Sequence, residues 1–270
     1  MKIMRLITYC VSIGLSLAAC HSNTNKQKET GATNAADTLT YVYEDYIKYS
    51  ENLIKTSETT DTSFYAASYP VFVDSTANLS VRTALLGNDT ATVEETAASF
   101  IKEFDRFYAS DPFPRVWTSE SHAKVHHITP TYLALVIHAS SYTGGAHGNY
   151  ATIFKHYDLQ AREWLTLDDI VAPSFQNELT AVAERYFRRQ ENLGVNQSLE
   201  DAYFFDNGQF SLPDNFALDP DSMLFLYTIY EIKPYVNGET ELRVPYTDIE
   251  RLLTDRAKRI VAELNTPIEP

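Results

Sequence analysis

The sequence predicts an α+β protein built from antiparallel β-sheets with helices packed on one face. Three observations carry that prediction. Strand-like segments come in runs and helical segments stand apart, instead of alternating as βαβ units. Tyrosine and phenylalanine are abundant, at 18 and 14, and aromatic residues favour pleated, half-buried surfaces. Capping-box signals, Thr92 with Glu95 and Thr247 with Glu250, precede two stretches of helical apolar spacing.

The elements follow in order. Residues 39–53 are rich in Tyr and Val and open a sheet. Residues 64–73 form a second strand, in which Pro70 points to an edge or a bulge. A short helix is read over 79–86. After Thr92, the residues Val93, Ala97, Phe100, Ile101, Phe104 and Tyr108 recur at helical spacing until Pro112 and Pro114 stop them. Strands are expected over 116–128, 132–141 and 149–159, the last two joined by a Gly-rich connection. A turn over 160–162 leads into 163–167. A second helix spans about 174–190, with Phe175, Leu179, Val182, Ala183, Tyr186 and Phe187 on its apolar stripe. The stretch 191–221 is polar and turn-rich. Residues 223–232 read as one apolar strand with a short partner at 241–244. The last helix is expected to start at Thr247 and to bury Ile249, Leu252, Leu253, Ile260, Val261 and Leu264. No internal repeat is present.

The chain opens with targeting chemistry. Lys2 and Arg5 precede an uncharged apolar run over 6–17, closed by Leu17-Ala18-Ala19-Cys20. The run is too short to span about 30 Å of hydrocarbon as a helix, so 1–19 reads as a signal peptide. Small residues before a cysteine fit a peptidase cleft, and the Cys20 thiol is what a lipid would be attached to. The pattern resembles a bacterial lipoprotein lipobox. Cys10 leaves with the leader and Cys20 is consumed, so no thiol remains for a disulfide or a thiolate site. Residues 20–38 lack aromatic and large aliphatic side chains and read as a disordered tether, spanning on the order of 25 Å as a coil. The expected location is the cell envelope, lipid-anchored. Because no clustered acidic run follows Cys20, a periplasm-facing outer-membrane position is favoured over surface display.

A formal net charge of −14 argues against nucleic acid, whose phosphates it would repel, and against docking on anionic lipid. It admits a cationic partner. No cofactor and no metal are expected. His122, His126 and His127 invite a metal reading, but on an extended strand His122 and His126 share a face about 13 Å apart, too far for one ion. A metal site there requires that the segment not be extended. Ser99 and Lys102 match S-x-x-K without its companion motifs, and Asp168-Asp169 suit a turn more than acid–base chemistry. The most unusual stretch is the loop over 140–148. It carries Tyr142, Thr143, Gly144, Gly145 and His147, with adjacent glycines free to take positive φ and a histidine able to bind or donate.

Four stretches then agree in order with one family. Tyr142-Thr143-Gly144-Gly145-Ala146-His147 resembles the Y-T-G-G-A-H signature of paired DUF4163 and DUF3298 domains. Tyr69-Pro70-Val71-Phe72 resembles an early strand of the first domain, and residues 165–170 (LTLDDI) resemble its junction element. Tyr230-Glu231-Ile232-Lys233-Pro234-Tyr235, with Gly238 and Val244-Pro245-Tyr246, resembles the closing motif of the second domain. Lys233 departs from the usual small residue. The resemblance implies two intimately associated extracytoplasmic subdomains, DUF4163-like over 39–162 and DUF3298-like over 163–265. Its relatives include the outer portions of lysozyme-sensing anti-sigma factors and modules fused to glycan deacetylases. Neither companion segment is read here. The resemblance thus implies a non-catalytic lipoprotein that binds a lysozyme-like protein or a cell-wall glycan such as peptidoglycan. Tyr142, Thr143, Gly144, Gly145, His147, Tyr230 and Tyr235 are its candidate motif and ligand residues. An envelope glycan hydrolase or deacetylase-type enzyme using His147, and a structural envelope protein, are the alternatives. The motif tyrosines are expected to be buried as fold determinants.

Overall fold

The computed structural model describes residues 40–266 apart from Asp74 and Asp89. The leader, the tether and the lipid attachment at Cys20 lie outside the described residues. Among the described residues, no helix is long and apolar enough to cross a membrane.

A long hairpin of β1 (Tyr41–Lys55) and β2 (Thr60–Phe72) begins the chain. The helices α1 (Ser75–Leu86) and α2 (Val93–Ser110) follow. The chain then runs through β3 (Thr118–Ile128), β4 (Tyr132–Tyr142), β5 (Asn149–Asp158) and β6 (Glu163–Leu165). These six strands form one sheet in sequence order. All its pairs are antiparallel except β2–β3, which the α1–α2 crossover makes parallel. Pro70 lies beyond the stretch of β2 that pairs with β3, so its missing N–H costs no ladder bond on that side. The Thr92 hydroxyl accepts from Glu95 N, and Glu95 returns a bond to Thr92 N, the expected capping box of α2.

The second part comprises α3 (Leu167–Ile170), α4 (Gln176–Gln190), and a three-stranded sheet of β7 (Phe216–Leu218), β8 (Ser222–Tyr227) and β9 (Thr240–Pro245). The turn α5 (Tyr246–Ile249) and the helix α6 (Asp255–Leu264) complete it. Two expectations are corrected here. The apolar strand ends at Tyr227, because Thr228 to Glu231 closes into a turn in which Glu231 accepts from Thr228 N and Oγ1. The last helix is not continuous from Thr247. A bridge between Val171 and Leu253 interrupts it, and Thr254 caps α6 by accepting from Ala257 N.

α1 and α2 pack on the larger sheet over two clusters, one around Tyr65, Ala97, Ala123 and Ile137, the other around Phe72, Val81, Leu133 and Leu135. The largest cluster is shared. Tyr132, Ala134 and Leu165 of the large sheet join Phe187, Phe225, Val244 and Ile260 of the second part in one buried core. The expected boundary at 162/163 falls between β5 and β6, within the large sheet.

Candidate functional site

The β4–β5 loop meets the 230–235 segment across the junction of the two parts. Tyr230 is held at φ +65° by the Thr228–Glu231 turn, and Gly238 closes the following turn at φ +68°. That conformation turns two tyrosines toward the loop. The His147 ring stacks on Tyr235, centroids 4.2 Å apart, and Tyr230 and Tyr150 flank Tyr235 at 5.4 and 6.0 Å. Tyr235 OH donates to Gly148 O at 3.1 Å. His147 Nδ1 also lies 3.1 Å from Gly148 O, and a carbonyl only accepts, so this nitrogen carries a proton. In the neutral ring Nε2 is then the acceptor, and Tyr230 OH reaches it at 3.3 Å. Both ring nitrogens are engaged by groups that hold the histidine in place.

The loop is tied on its other side by Arg115, whose Nη1 donates to Gly144 O at 2.9 Å. Gly144 sits at φ +89°, open to glycine and strained for other residues. At Gly148 an added Cβ would come within 3.1 Å of Ser141 O, so the loop closes tightly only with glycine there. Thr143 and Gly145 face solvent, and Tyr142 ends β4 half-buried. The expectation of buried tyrosines is corrected: Tyr230 is 51% exposed, and Tyr235 and Tyr142 are part-exposed. Their aromatic faces meet one another at a rim, and no core closes over them.

Beside this rim lies a groove of about 380 Å³ between the α1–α2 pair and strands β3–β5. Small side chains leave that part of the sheet uncovered. Ser119, Ser121, Ala139, Ser141, Asn149 and Ala151 raise their side chains into it, and Leu85 and Leu86 border it from the helix side. The register places Ser119 opposite Ser141 and Ala139 opposite Ala151, so the floor is flat. Its volume suits a small ligand. Tyr150 borders the groove along its strand, while its ring turns to the other face of the sheet and joins the aromatic cluster. Ser99 and Lys102 lie on the solvent face of α2. Asp169 accepts from Thr166 N and Oγ1 at the start of α3, as a turn carboxylate does.

A second constellation joins the histidines of β3 to the β7–β8 turn. The β3–β4 register shifts between Val125 and His127, a bulge that puts two consecutive side chains on one side. The alternation expected for an extended segment fails at this point. His126 Nε2 and His127 Nε2 lie 2.9 and 3.4 Å from the same oxygen, Asp219 Oδ1, and Arg243 Nη1 binds Asp219 Oδ2. Hydrogen bonds from His126, then His127 and Arg243, hold the Asp219 carboxyl well below the usual carboxylate range, against the opposing effect of burial. These three side chains are the group among the described residues able to share one metal ion. In the sequence Asp219 reads as one more turn acid in a polar stretch. Only the bulge and the docking of the second sheet bring it to the histidines.

Buried between the parts is His156. Its Nε2 donates to Phe216 O at 2.7 Å, and its Nδ1 accepts from Tyr132 OH at 2.6 Å. Burial, the largest influence, lowers its pKa to about 4.

This is a two-sheet α+β module whose two parts share a core and meet at an aromatic loop. Residues 54–150 match the family model described as "Deacetylase PdaC", and residues 168–247 match the one described as "Protein of unknown function (DUF3298)". The chain thus carries a PdaC-like domain followed by a DUF3298 domain. A DUF3298-family protein from Bacteroides fragilis NCTC 9343, solved at 2.30 Å, is 24% identical with a TM-score of 0.70, the match covering 85% of this chain and 98% of that one. A DUF3298-family protein from Pseudomonas aeruginosa PAO1 is 20% identical with a TM-score of 0.60, covering 79% and 95%. Both share the fold. No curated protein matches the chain.

Proposed function

We propose that this chain is a non-catalytic binding module of the cell envelope, held at a membrane by lipid on Cys20, whose groove takes a cell-wall glycan. The observation that carries the reading is the groove itself. Serine hydroxyls and the Asn149 amide lie along a flat floor, and Leu85 and Leu86 of the facing helix border it. A sugar offers that same mixture, hydroxyls around its rim and an apolar face for the leucines. Glycoside hydrolysis ordinarily uses two carboxylates across the scissile bond; of the lining residues only Glu120 carries one, and it turns to the opposite face beside His122. His147 is engaged by Gly148 and Tyr230, which supports a part in shaping the loop.

The test is titration of the purified chain with a soluble peptidoglycan disaccharide-peptide and, separately, with lysozyme. Saturable binding of the glycan is expected, weakened at least about tenfold by Ser141→Trp, which fills the floor. Binding of neither probe at millimolar glycan and high-micromolar lysozyme would overturn the reading. Binding of lysozyme alone would shift it to a cationic protein, in keeping with the net charge of −14. The family description of a deacetylase supports the enzyme alternative, which predicts release of acetate or of new reducing ends from the bound fragment. For the anchor, Cys20→Ser is expected to abolish incorporation of labelled palmitate and to move the protein out of the membrane fraction. Unchanged labelling would rule out Cys20 as the attachment point.

A further inference from the structure

We infer that His126, His127 and Asp219 form a binding site for a divalent transition ion of the zinc class, one that ties β3 of the large sheet to the β7–β8 turn of the small one. The geometry carries it. The bulge at 125–127 places both imidazoles on one side, with ring centroids 4.2 Å apart. Their Nε2 atoms approach Asp219 Oδ1 to 2.9 and 3.4 Å, and all three donor atoms lie within 4.8 Å of one another. In a tetrahedral site with bonds of about 2.0 Å, neighbouring ligand atoms stand about 3.3 Å apart, so the two histidine–aspartate separations already bracket the edge required.

The donor set matches the ion. Two imidazole nitrogens and one carboxylate oxygen suit zinc and its neighbours and not calcium or magnesium, which take oxygen. Three protein ligands leave one position for water. As hydrogen-bond donors the two Nε2 atoms carry protons toward Asp219; as ligands they carry the metal in place of those protons. Arg243 on Asp219 Oδ2 acts as a positioning residue, fixing the carboxylate so that Oδ1 faces the histidines. The three side chains are each part-exposed, so an ion can reach them.

The metal-dependent link is tested on the tag-free chain with cobalt(II) and zinc(II). Cobalt is expected to bind one to one with the strong visible absorption of a four- or five-coordinate ion, and zinc to displace it. His127→Gln and Asp219→Asn, if folded by circular dichroism, should each weaken binding at least about tenfold, since losing a ligand costs no less than losing an outer-shell partner. Zinc should raise the melting temperature of the wild type, reversibly with chelator. Should a variant fail to fold, X-ray absorption of the zinc-loaded wild type decides: two imidazoles and oxygen ligands are expected. No saturable cobalt binding, a six-coordinate spectrum, fewer than two imidazoles, or a folded variant with unchanged affinity would each overturn the site.

Discussion

At the scale of single residues, His156 shows how a side chain without any sequence signal becomes decisive. It is 3% exposed and hydrogen-bonded on both nitrogens, to Tyr132 OH and to Phe216 O. A proton on Nδ1 would displace the Tyr132 bond and put a charge in a desolvated site. Its pKa therefore falls from 6.5 to about 4. Between those values the unfolded chain binds the proton and the folded chain does not, so stability is full above the unfolded value and falls as pH drops toward about 4. The loss amounts to roughly 3 kcal/mol over that window. Denaturant titrations at pH 7 and pH 4.5, compared between wild type and His156→Gln, measure it. A slope equal in both would remove His156 as its source. Nothing in the sequence marked this histidine, because a strand histidine looks the same whether its ring is solvated or buried. His147, by contrast, was legible through its glycines, and Asp219 was not legible at all.

Element boundaries were readable where local chemistry sets them. The box between Thr92 and Glu95 fixes the start of α2, and it holds in the fold. Thr247 and Glu250 display the same letters, yet the cap belongs to Thr254. There the tertiary structure decides: Thr254 N donates to Ile170 O, and Thr254 Oγ1 donates to Asp169 O. The break before α6 thus depends on α3, which lies far away in sequence. The bulge at 125–127 is of the same kind, since its consequence appears only when Asp219 arrives. The edge of β5 is another. β6 pairs with only the last residues of β5, leaving the N–H groups of Thr152 and Phe154 open. Glu239 accepts from Thr152 N at 2.8 Å, and Asn215 accepts from Phe154 N at 2.8 Å while donating to Thr152 O at 2.7 Å. Two side chains stand in for a strand, satisfying the edge and closing it to pairing with another chain. No pattern in the sequence encodes a partner supplied in this way.

At the scale of the molecule, the two family matches divide the chain where the physics does not. One core runs from Tyr132 and Ala134 on the large sheet to Phe225 and Ile260 in the second part. The polar links point the same way. Asp158, 2% exposed at the end of β5, faces Arg256 and Arg259 of α6, and Glu263 accepts from Thr129 and Thr131 at the β3–β4 turn. Separating the parts would bare apolar surface and leave the Asp158 carboxylate without its arginines, a cost no local rearrangement offsets. A single cooperative thermal transition is therefore expected, with calorimetric and van't Hoff enthalpies equal. Asn215→Ala, which removes two bonds across the junction and one to Leu226 O within the second part, should lower that one transition by several degrees without splitting it, a loss of about 1–3 kcal/mol. Differential scanning calorimetry of both proteins reads this directly. Two resolved transitions in the wild type would mean that the shared core does not couple the parts. A split only in the variant would mean that Asn215, more than the apolar contact, transmits cooperativity from one sheet to the other.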